Sequence, residues 1–351
     1  MKPMPHVFDN PAFDGHEQVV FCSDAATGLR AIIAVHSTRL GPAAGGCRMY
    51  PYASIEDAVT DVLRLSQGMS YKNALAGLKL GGGKSVIIAD SRDAQKPRLL
   101  SAFAQHVQAL NGRYWTAIDV GVGVDDVAHM SRETDFTFTL VDERSGRLNP
   151  AVFTALGGFV SIEATTKYAL QKDSLTGVRF ALQGLGQTGM DLCRRLTEAG
   201  GKVIATDVNA AAIESAKARY GIEAVEPDDI YGVDADVFVP CALGAILNDE
   251  TIPLLKVRAV SGLANNQLAE PRHGQVLRER GITYAPDYVV NAGGVIYGSD
   301  DIFKTHDTSD AEDKIRGIGK VLIEIFDRSN RENRATSDIA DEMARARMAG
   351  A

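Results

Sequence analysis

Apolar residues along the chain fall into short strand-like runs and longer helical recurrences. Residues 18–23 (QVVFCS) and 29–36 (LRAIIAVH) read as strands, joined through Ala25-Ala26-Thr27-Gly28 as a hairpin-like turn. Ser54 with Asp57 three residues on opens a helix, and Ile55, Val59, Val62 and Leu63 recur at helical spacing through about Ser70. A glycine loop then leads into a strand over 84–89. Pro97 suits the start of a second helix, which ends near Asn111-Gly112. Residues 113–118 (RYWTAI) form another strand, with Asp119 at its C-terminal end before Gly121 and Gly123. Residues 136–150 are polar, contain Gly146 and Pro150, and read as a hinge. A long helix follows over about 151–170, then a strand over 178–183, a helix over 190–199 and a strand over 202–206. Further strands fit 235–240, 256–261 and 282–285. The chain from Ser309 is charged and helical, with Ile339 and Met343 one turn apart on a helix expected to pack back on one domain. This alternation of strands and helices predicts an α/β protein, with one domain over 1–140, a doubly wound second domain over 141–335 and a C-terminal helix over 336–351.

Composition narrows the function classes. A length of 351 residues suits two domains, and 45% apolar residues suffice for packed cores rather than disorder. The net charge of −8, without a basic block, argues against nucleic acid or an anionic membrane as partner. No apolar run approaches membrane length, and MKPMPHVFDN lacks the apolar core of a signal peptide. Cys22, Cys47, Cys193 and Cys241 are scattered without a CxxC pair, which fits a reducing cytoplasm. The histidines show no HExxH pattern, so no metal is expected.

Two stretches carry candidate chemistry. The first is GMSYKNALAGLKLGGGKS (68–85), in which Lys72 and Lys84 stand either side of Gly77, Gly81, Gly82 and Gly83. It reads as a loop delivering a cation to the mouth of a buried strand, apolar from Val86. Gly83-Lys84-Ser85 supplies the end of a nucleotide-phosphate loop, but that motif needs glycine at position 78, which is Leu78. Asp119 at a strand end is either a cap for the following turn or a site residue.

The second stretch is Gly184-Leu185-Gly186-Gln187-Thr188-Gly189, set between a strand and a helix and followed by a strand ending at Asp207. That order is the dinucleotide-binding pattern. Gly184 permits the tight turn, Gly186 admits a pyrophosphate, Gly189 allows close helix–strand packing, and the helix N-terminus faces the phosphates. Asp207 suits the ribose hydroxyls and repels a 2′-phosphate, which favours NAD over NADP. Loops at Cys241-Ala242-Leu243-Gly244, Ala264-Asn265-Asn266 and Asn291-Ala292-Gly293-Gly294 follow strands and could wall the nicotinamide site. Cys241 reads as a small buried residue rather than a nucleophile.

Assembled, these residues resemble the Glu/Leu/Phe/Val dehydrogenases, most closely the leucine and phenylalanine branch, from about Gln18 to Gly298. The carriers are LGPAAGGCRM (40–49), GMSYKNALAGLKLGGGKSVI (68–87), TAIDVG (116–121), QGLGQTG (183–189), VPCALG (239–244), NNQL (265–268) and YAPDYVVNAGGV (284–295). The resemblance implies a substrate-binding and catalytic domain followed by a Rossmann-type NAD domain, with a cleft between them. It implies reversible oxidative deamination of an L-amino acid to its 2-oxo acid, ammonia and NADH, by a homo-oligomer. Lys72 would hold the substrate carboxylate, Lys84 would be the catalytic lysine beside the attacking water, and Asp119 would exchange protons with the substrate amine. Met69, Ala44, Gly45, Gly46, Ala117, Val295 and Gly298 would line the substrate site. Asn266, with Asn265, would position substrate and nicotinamide, and Thr154 would lie near the nicotinamide amide. Gly184, Gly186, Gln187, Thr188, Gly189, Asp207, Cys241 and Ala242 would complete the cofactor site.

Ala44 and Gly298 replace larger aliphatic residues of leucine-type members, which would widen the pocket towards substrates bulkier than leucine, such as phenylalanine. No charge appears among the pocket positions, so glutamate is not expected. Ala151-Val152-Phe153 before Thr154 and the segment after Gly298 depart from the family pattern. Two other readings compete: an NAD-dependent oxidoreductase of 2-hydroxy acids, which would want a histidine in the site motifs, and a non-catalytic NAD-binding sensor.

Overall fold

The computed structural model describes residues 6–139, 148–305 and 308–350. The expected hinge over 136–150 therefore lies largely outside the described residues. The chain divides into two compact units, Met1–Asn149 with Gly298–Asp307 and Ala344–Ala351, and Pro150–Tyr297 with Thr308–Met343.

The first unit contains β1 (Gln18–Asp24), β2 (Leu29–Ser37), β3 (Ala43–Ala44), β4 (Cys47–Tyr50), α1 (Ile55–Leu75), β5 (Gly81–Ile88), α2 (Lys96–Ala109), β6 (Tyr114–Trp115) and α3 (Val124–Met130). β1 and β2 form the expected antiparallel hairpin, closed where the Thr27 backbone N–H and hydroxyl donate to Asp24 Oδ2 and Gly28 takes φ +76°. The sheet order is β1-β2-β5-β3-β6, with β4 also pairing β5. Ile33, Val35 and Ile87 on one face join the core with Phe103 and Val107 of α2, while Ile32, Ala34 and Val86 on the other pack with Val62 and Leu63 of α1. Burial on both faces explains why residues 31–35 of β2 and 86–87 of β5 are apolar in unbroken runs rather than alternating.

Ser54 caps α1 by accepting from the Asp57 N–H at 3.0 Å. The helix continues past the expected end at Ser70 to Leu75, because Ser70 and Asn73 are buried and the Asn73 amide donates to the Gly81 carbonyl at 2.6 Å. The glycines 81–83 are not a loop: they are the first half of β5. A Cβ at Gly81 would stand 1.9 Å from the Ser37 carbonyl oxygen, at Gly82 2.1 Å from the Ser70 nitrogen, and at Gly83 2.6 Å from the Tyr114 ring. Their absence of side chain brings α1 and the neighbouring strands onto β5. Lys84 and Ser85 are thus mid-strand, an arrangement unlike a phosphate loop.

The second unit contains α4 (Pro150–Leu170), β7 (Arg179–Gln183), α5 (Gln187–Glu198), β8 (Lys202–Thr206), α6 (Ala210–Tyr220), β9 (Glu223–Ala224), β10 (Val237–Pro240), β11 (Ala259–Val260), α7 (Arg272–Glu279), β12 (Thr283–Tyr284) and α8 (Asp287–Val290). Then come α9 (Gly293–Phe303), which passes into the first unit at Gly298, α10 (Thr308–Arg316), α11 (Ile318–Glu332) and α12 (Thr336–Met348), which passes into it at Ala344. The sheet is parallel, in the order β12-β11-β10-β7-β8-β9. Starting in the middle at β7 and extending to both edges is the doubly wound arrangement. Three expectations are corrected. α5 begins at Gln187 rather than Met190, and β11 and β12 are two residues each. Gly293-Gly294 starts a helix rather than lying in a loop, since a Cβ at Gly293 would stand 2.0 Å from the Phe153 carbonyl oxygen of α4. Ile339 and Met343 of α12 are both buried.

Candidate active site

In the first unit, the break between β3 and β4 is the pivot of the site. Gly45 and Gly46 pass between two backbones, so a Cβ would stand 1.9 Å from the Gly83 carbonyl oxygen at Gly45 and 2.1 Å from that of Ile118 at Gly46. The same passage brings Gly45 against Met69 of α1 and Gly46 against Asp119. Ala44 is fully buried and paired with Gly82 and Trp115, and Ala117, two residues after Trp115, is buried too, its carbonyl accepting from the Cys47 N–H. Lys72, half-buried, lies one turn beyond Met69 in the last turn of α1.

Lys84 extends from β5 and its Nζ donates to Asp119 Oδ2 at 2.5 Å. Both groups are withdrawn from solvent, with side-chain exposures of 5% and 13%, so the pair is a buried one. Asp119 uses its backbone to close a turn with Val122, while its carboxylate leaves that turn for Lys84 and Arg48. Of the two readings open for Asp119, the turn is closed by its backbone, and its carboxylate is given to the two cations. Arg48 Nε donates to Asp119 Oδ1 at 2.8 Å. Burial pushes the Asp119 carboxyl up, but the Lys84 and Arg48 charges outweigh it and hold it below the usual carboxylate range. The arrangement is a buried anion able to receive a cationic amine, beside an ammonium able to stabilise developing negative charge.

Gly298 behaves differently from its expectation as a widened pocket position. A Cβ there would stand 2.6 Å from Thr139 Cγ2 and 3.2 Å from the Phe138 ring, so Thr139 and Phe138 already take up the space. Val295 lies three residues before it on α9.

The second unit gathers the other residues at the C-terminal ends of its strands. Gly184 has φ +100°, and a Cβ at Gly189 would stand 2.1 Å from the Gly184 carbonyl oxygen, so both glycines are required by the turn itself. Gly186 caps α5 with φ −66° and ψ −170°, and a Cβ there would meet nothing within 4 Å. Its open face at the start of α5, where Gln187, Thr188 and Gly189 form the first turn, has room for a phosphate to approach the helix N-terminus. Asp207 follows β8 and accepts from the Leu185 N–H at 2.5 Å and the Asn209 N–H at 2.8 Å. Those contacts orient the carboxylate and leave acceptor sites for ribose hydroxyls. Val208, Asn209 and Ala210 follow it, with no cation among them. These residues fit NAD.

Ala242 touches the Gly184 turn, and burial pushes the Cys241 thiol up to about 12, which suits a structural residue. The Asn291 amide donates to Asn265 Oδ1 at 2.8 Å, and Asn266, at φ +52°, donates its N–H to Asp287. The Thr154 hydroxyl donates to the Pro150 carbonyl and faces Gly294.

Residues 16–136 match the family model "Glu/Leu/Phe/Val dehydrogenase, dimerisation domain", and residues 206–314 match "Glutamate/Leucine/Phenylalanine/Valine dehydrogenase". Leucine dehydrogenase of Geobacillus stearothermophilus is 48% identical over 95% of this chain and 90% of its own. This chain belongs to the Glu/Leu/Phe/Val dehydrogenase family. Its place is the leucine and phenylalanine branch, for phenylalanine dehydrogenase of Caldalkalibacillus thermarum is 47% identical over 95% of this chain and 91% of its own. Among solved structures, L-tryptophan dehydrogenase from Nostoc punctiforme superimposes with a TM-score of 0.83 at 41% identity, covering 96% of each chain. Relatives named for three different side chains match comparably, so overall similarity does not choose among them.

Within this family member, Arg48 and Asp61 were not singled out by sequence reasoning. Arg48 stood in LGPAAGGCRM, but its partner Asp119 lies 71 residues away, and no local pattern announces that pairing. Phe138 and Thr139, which fill the space at Gly298, were missed for the same reason.

Proposed function

We propose that this family member catalyses reversible oxidative deamination of an apolar L-amino acid to the 2-oxo acid, ammonia and NADH, with the roles set out here. The observation that carries the site is the buried Lys84–Asp119 pair beside the Gly45-Gly46 passage. Bound NAD supplies the acceptor for the hydride from the substrate α-carbon. Gly184, Gly186, Gln187, Thr188, Gly189 and Asp207 hold its phosphates and ribose, and Thr154, Cys241, Ala242 and Asn265 border its nicotinamide end. Lys72 holds the substrate carboxylate. Asp119, kept anionic, receives the ammonium group and takes up its proton. Lys84 attends the attacking water and the oxygen that becomes the keto group. Asn266 aligns the substrate.

The side-chain range is apolar, spanning branched and aromatic substrates. Ala44 is the remaining departure that adds room, since the space at Gly298 is filled by Thr139 and Phe138. One methylene is worth only about 1–3 kcal/mol of discrimination, so the range is broad. The match of residues 16–136 to a dimerisation domain supports a homo-oligomer. All four cysteines are free thiols, which supports the cytoplasm as its compartment, and among the described residues no helix is long and apolar enough to cross a membrane.

NAD reduction with a panel of L-amino acids at alkaline pH, with ammonia measured and Lys84→Ala as control, tests the proposal. Ammonia release with loss of activity in the variant is expected. With a parallel panel of 2-hydroxy acids, reduction by these and not by amino acids would favour the hydroxy-acid reading, and no reduction with either panel would favour the sensor.

A further inference from the structure

Asp119 is shared between two cations, and the reaction roles use only one of them. Lys84 takes Oδ2 and Arg48 takes Oδ1. Arg48 is itself held from behind, its Nη1 donating to Asp61 Oδ2 at 2.9 Å, and the Tyr52 hydroxyl donates to the same oxygen at 2.5 Å. Lys84, Asp119, Arg48 and Asp61 alternate in sign along this chain of contacts and sum to zero formal charge. Arg48 is 17% exposed and Asp61 28%, so the relay runs from the buried pair towards the surface of the unit.

We propose that Arg48 is a positioning residue for the reaction, one that anchors Asp119 Oδ1 and leaves Oδ2 as the single oxygen passed between Lys84 and the substrate amine. This rests on the roles proposed above for Lys84 and Asp119. A carboxylate is free to turn about its Cβ–Cγ bond and offers two equivalent oxygens. A guanidinium bonded to one of them, and tied at its other arm to α1, removes that freedom. The oxygen facing Lys84 is then always the same one, and a near-attack arrangement depends on such registration to well under 1 Å. Arg48 has a second consequence, because its charge helps keep Asp119 an anion when a cationic substrate arrives. The groups that face Asp119 are Lys84 of β5, Arg48 and Cys47 of β4, and Tyr114 of β6, with Asp61 of α1 and Tyr52 behind Arg48. Burial pushes the Cys47 thiol up to about 12 and raises the Tyr114 phenol above its ordinary range. Both are neutral at working pH, so Lys84 and Arg48 are the charges that act on the carboxylate.

The test compares Arg48→Met, Arg48→Lys and Asp61→Asn with the native enzyme, in kcat and KM for the best amino acid from about pH 3.5 to 11, so that the range reaches down to the carboxylate region, and in NADH affinity by fluorescence. Arg48→Met is expected to lower kcat at least 30-fold and to move the acid limb of its pH profile up by a pH unit or more, with NADH affinity within twofold. Arg48→Lys is expected to return the limb towards its native position while regaining only part of kcat, because one ammonium cannot span both carboxylates as a guanidinium does. Asp61→Asn is expected to lower kcat less, in the same direction. A native acid limb and a kcat within threefold in Arg48→Met would overturn the proposal. So would a loss of kcat with an unmoved limb and no rescue by lysine, which is the result of lost packing alone. If Arg48→Met does not fold, the other two variants decide by the same readouts, and native behaviour in both overturns it. Failure of the underlying roles is seen separately, as a native enzyme inert with every amino acid or an Asp119→Asn variant with native kcat.

Discussion

Two alanine substitutions three residues apart in the glycine turn are expected to act on different states of the protein. A methyl at Gly189 would stand 2.1 Å from the Gly184 carbonyl oxygen, whereas close carbon–oxygen contacts sit at about 3.3 Å. Helix α5 or the turn must therefore yield by about 1 Å. Overpacking of that kind costs about 1–3 kcal/mol, or a fall in Tm of about 2–12 °C for a unit of this size. A methyl at Gly186 meets nothing within 4 Å, and its φ of −66° is open to any residue. The unfolded-state gain of about 0.4–1 kcal/mol from Gly→Ala is roughly offset by the poorer N-cap, so Tm is expected to stay within about 2 °C of native. The same methyl stands where phosphate approaches the α5 N-terminus. Loss of one hydrogen bond to a charged oxygen, about 1.5–3 kcal/mol, weakens NADH binding roughly 10- to 150-fold. Calorimetry of the ligand-free variants and fluorescence titration with NADH separate the two effects. If Gly186→Ala lowers Tm as far as Gly189→Ala does, or binds NADH like the native protein, the reading of this turn is wrong.

Three further outcomes are expected. Asp119 has a carboxyl held below the usual range, so its contribution to stability is fully present above about pH 4 and is lost as pH falls through its folded value. Asp119→Asn should therefore cost about 3–5 kcal/mol in urea melts at pH 7 and distinctly less at pH 3, and an equal cost at both would count against the charge reading. Gly298→Val should destabilise by about 1–3 kcal/mol through its clash with Thr139, and Thr139→Gly in the same chain should recover most of it. A native Tm in that variant, with only the leucine-to-phenylalanine preference altered, would show the space to be open after all. Arg347 Nη1 donates to the Leu75 carbonyl at 2.9 Å and the Ala74 carbonyl at 3.4 Å, closing the end of α1 just beyond Lys72. Arg347→Ala should raise the amino acid KM about 2- to 10-fold with the NAD KM unchanged, and a matching rise in both would refute a local effect.

Much of the fold was legible because it is local. The β1–β2 hairpin follows from two apolar runs around Ala25-Ala26-Thr27-Gly28, the start of α1 from Ser54 and Asp57, and the doubly wound second unit from a strand, a glycine turn, a helix and a strand in order. Errors gathered where a residue serves a distant partner. Gly81, Gly82 and Gly83 suggest a loop by composition, yet they are strand residues because Ser37, Ser70 and Tyr114 leave no room for a Cβ. Gly293 likewise looked like loop and opens a helix against Phe153.

By itself, then, the sequence determined the element types where local pattern governs them, the glycine turn with its acid at Asp207, and the lysines and aspartate that mark the family. Only the tertiary structure decided what surrounds them: Arg48 on the second oxygen of Asp119, Asp61 behind Arg48, and Thr139 in the space at Gly298. Turns and caps are short-range, and their chemistry is written in neighbouring residues. A buried charge must instead find its counter-charge wherever the chain brings one, here 71 residues away, and a vacated side-chain volume is filled by whichever segment packs against it.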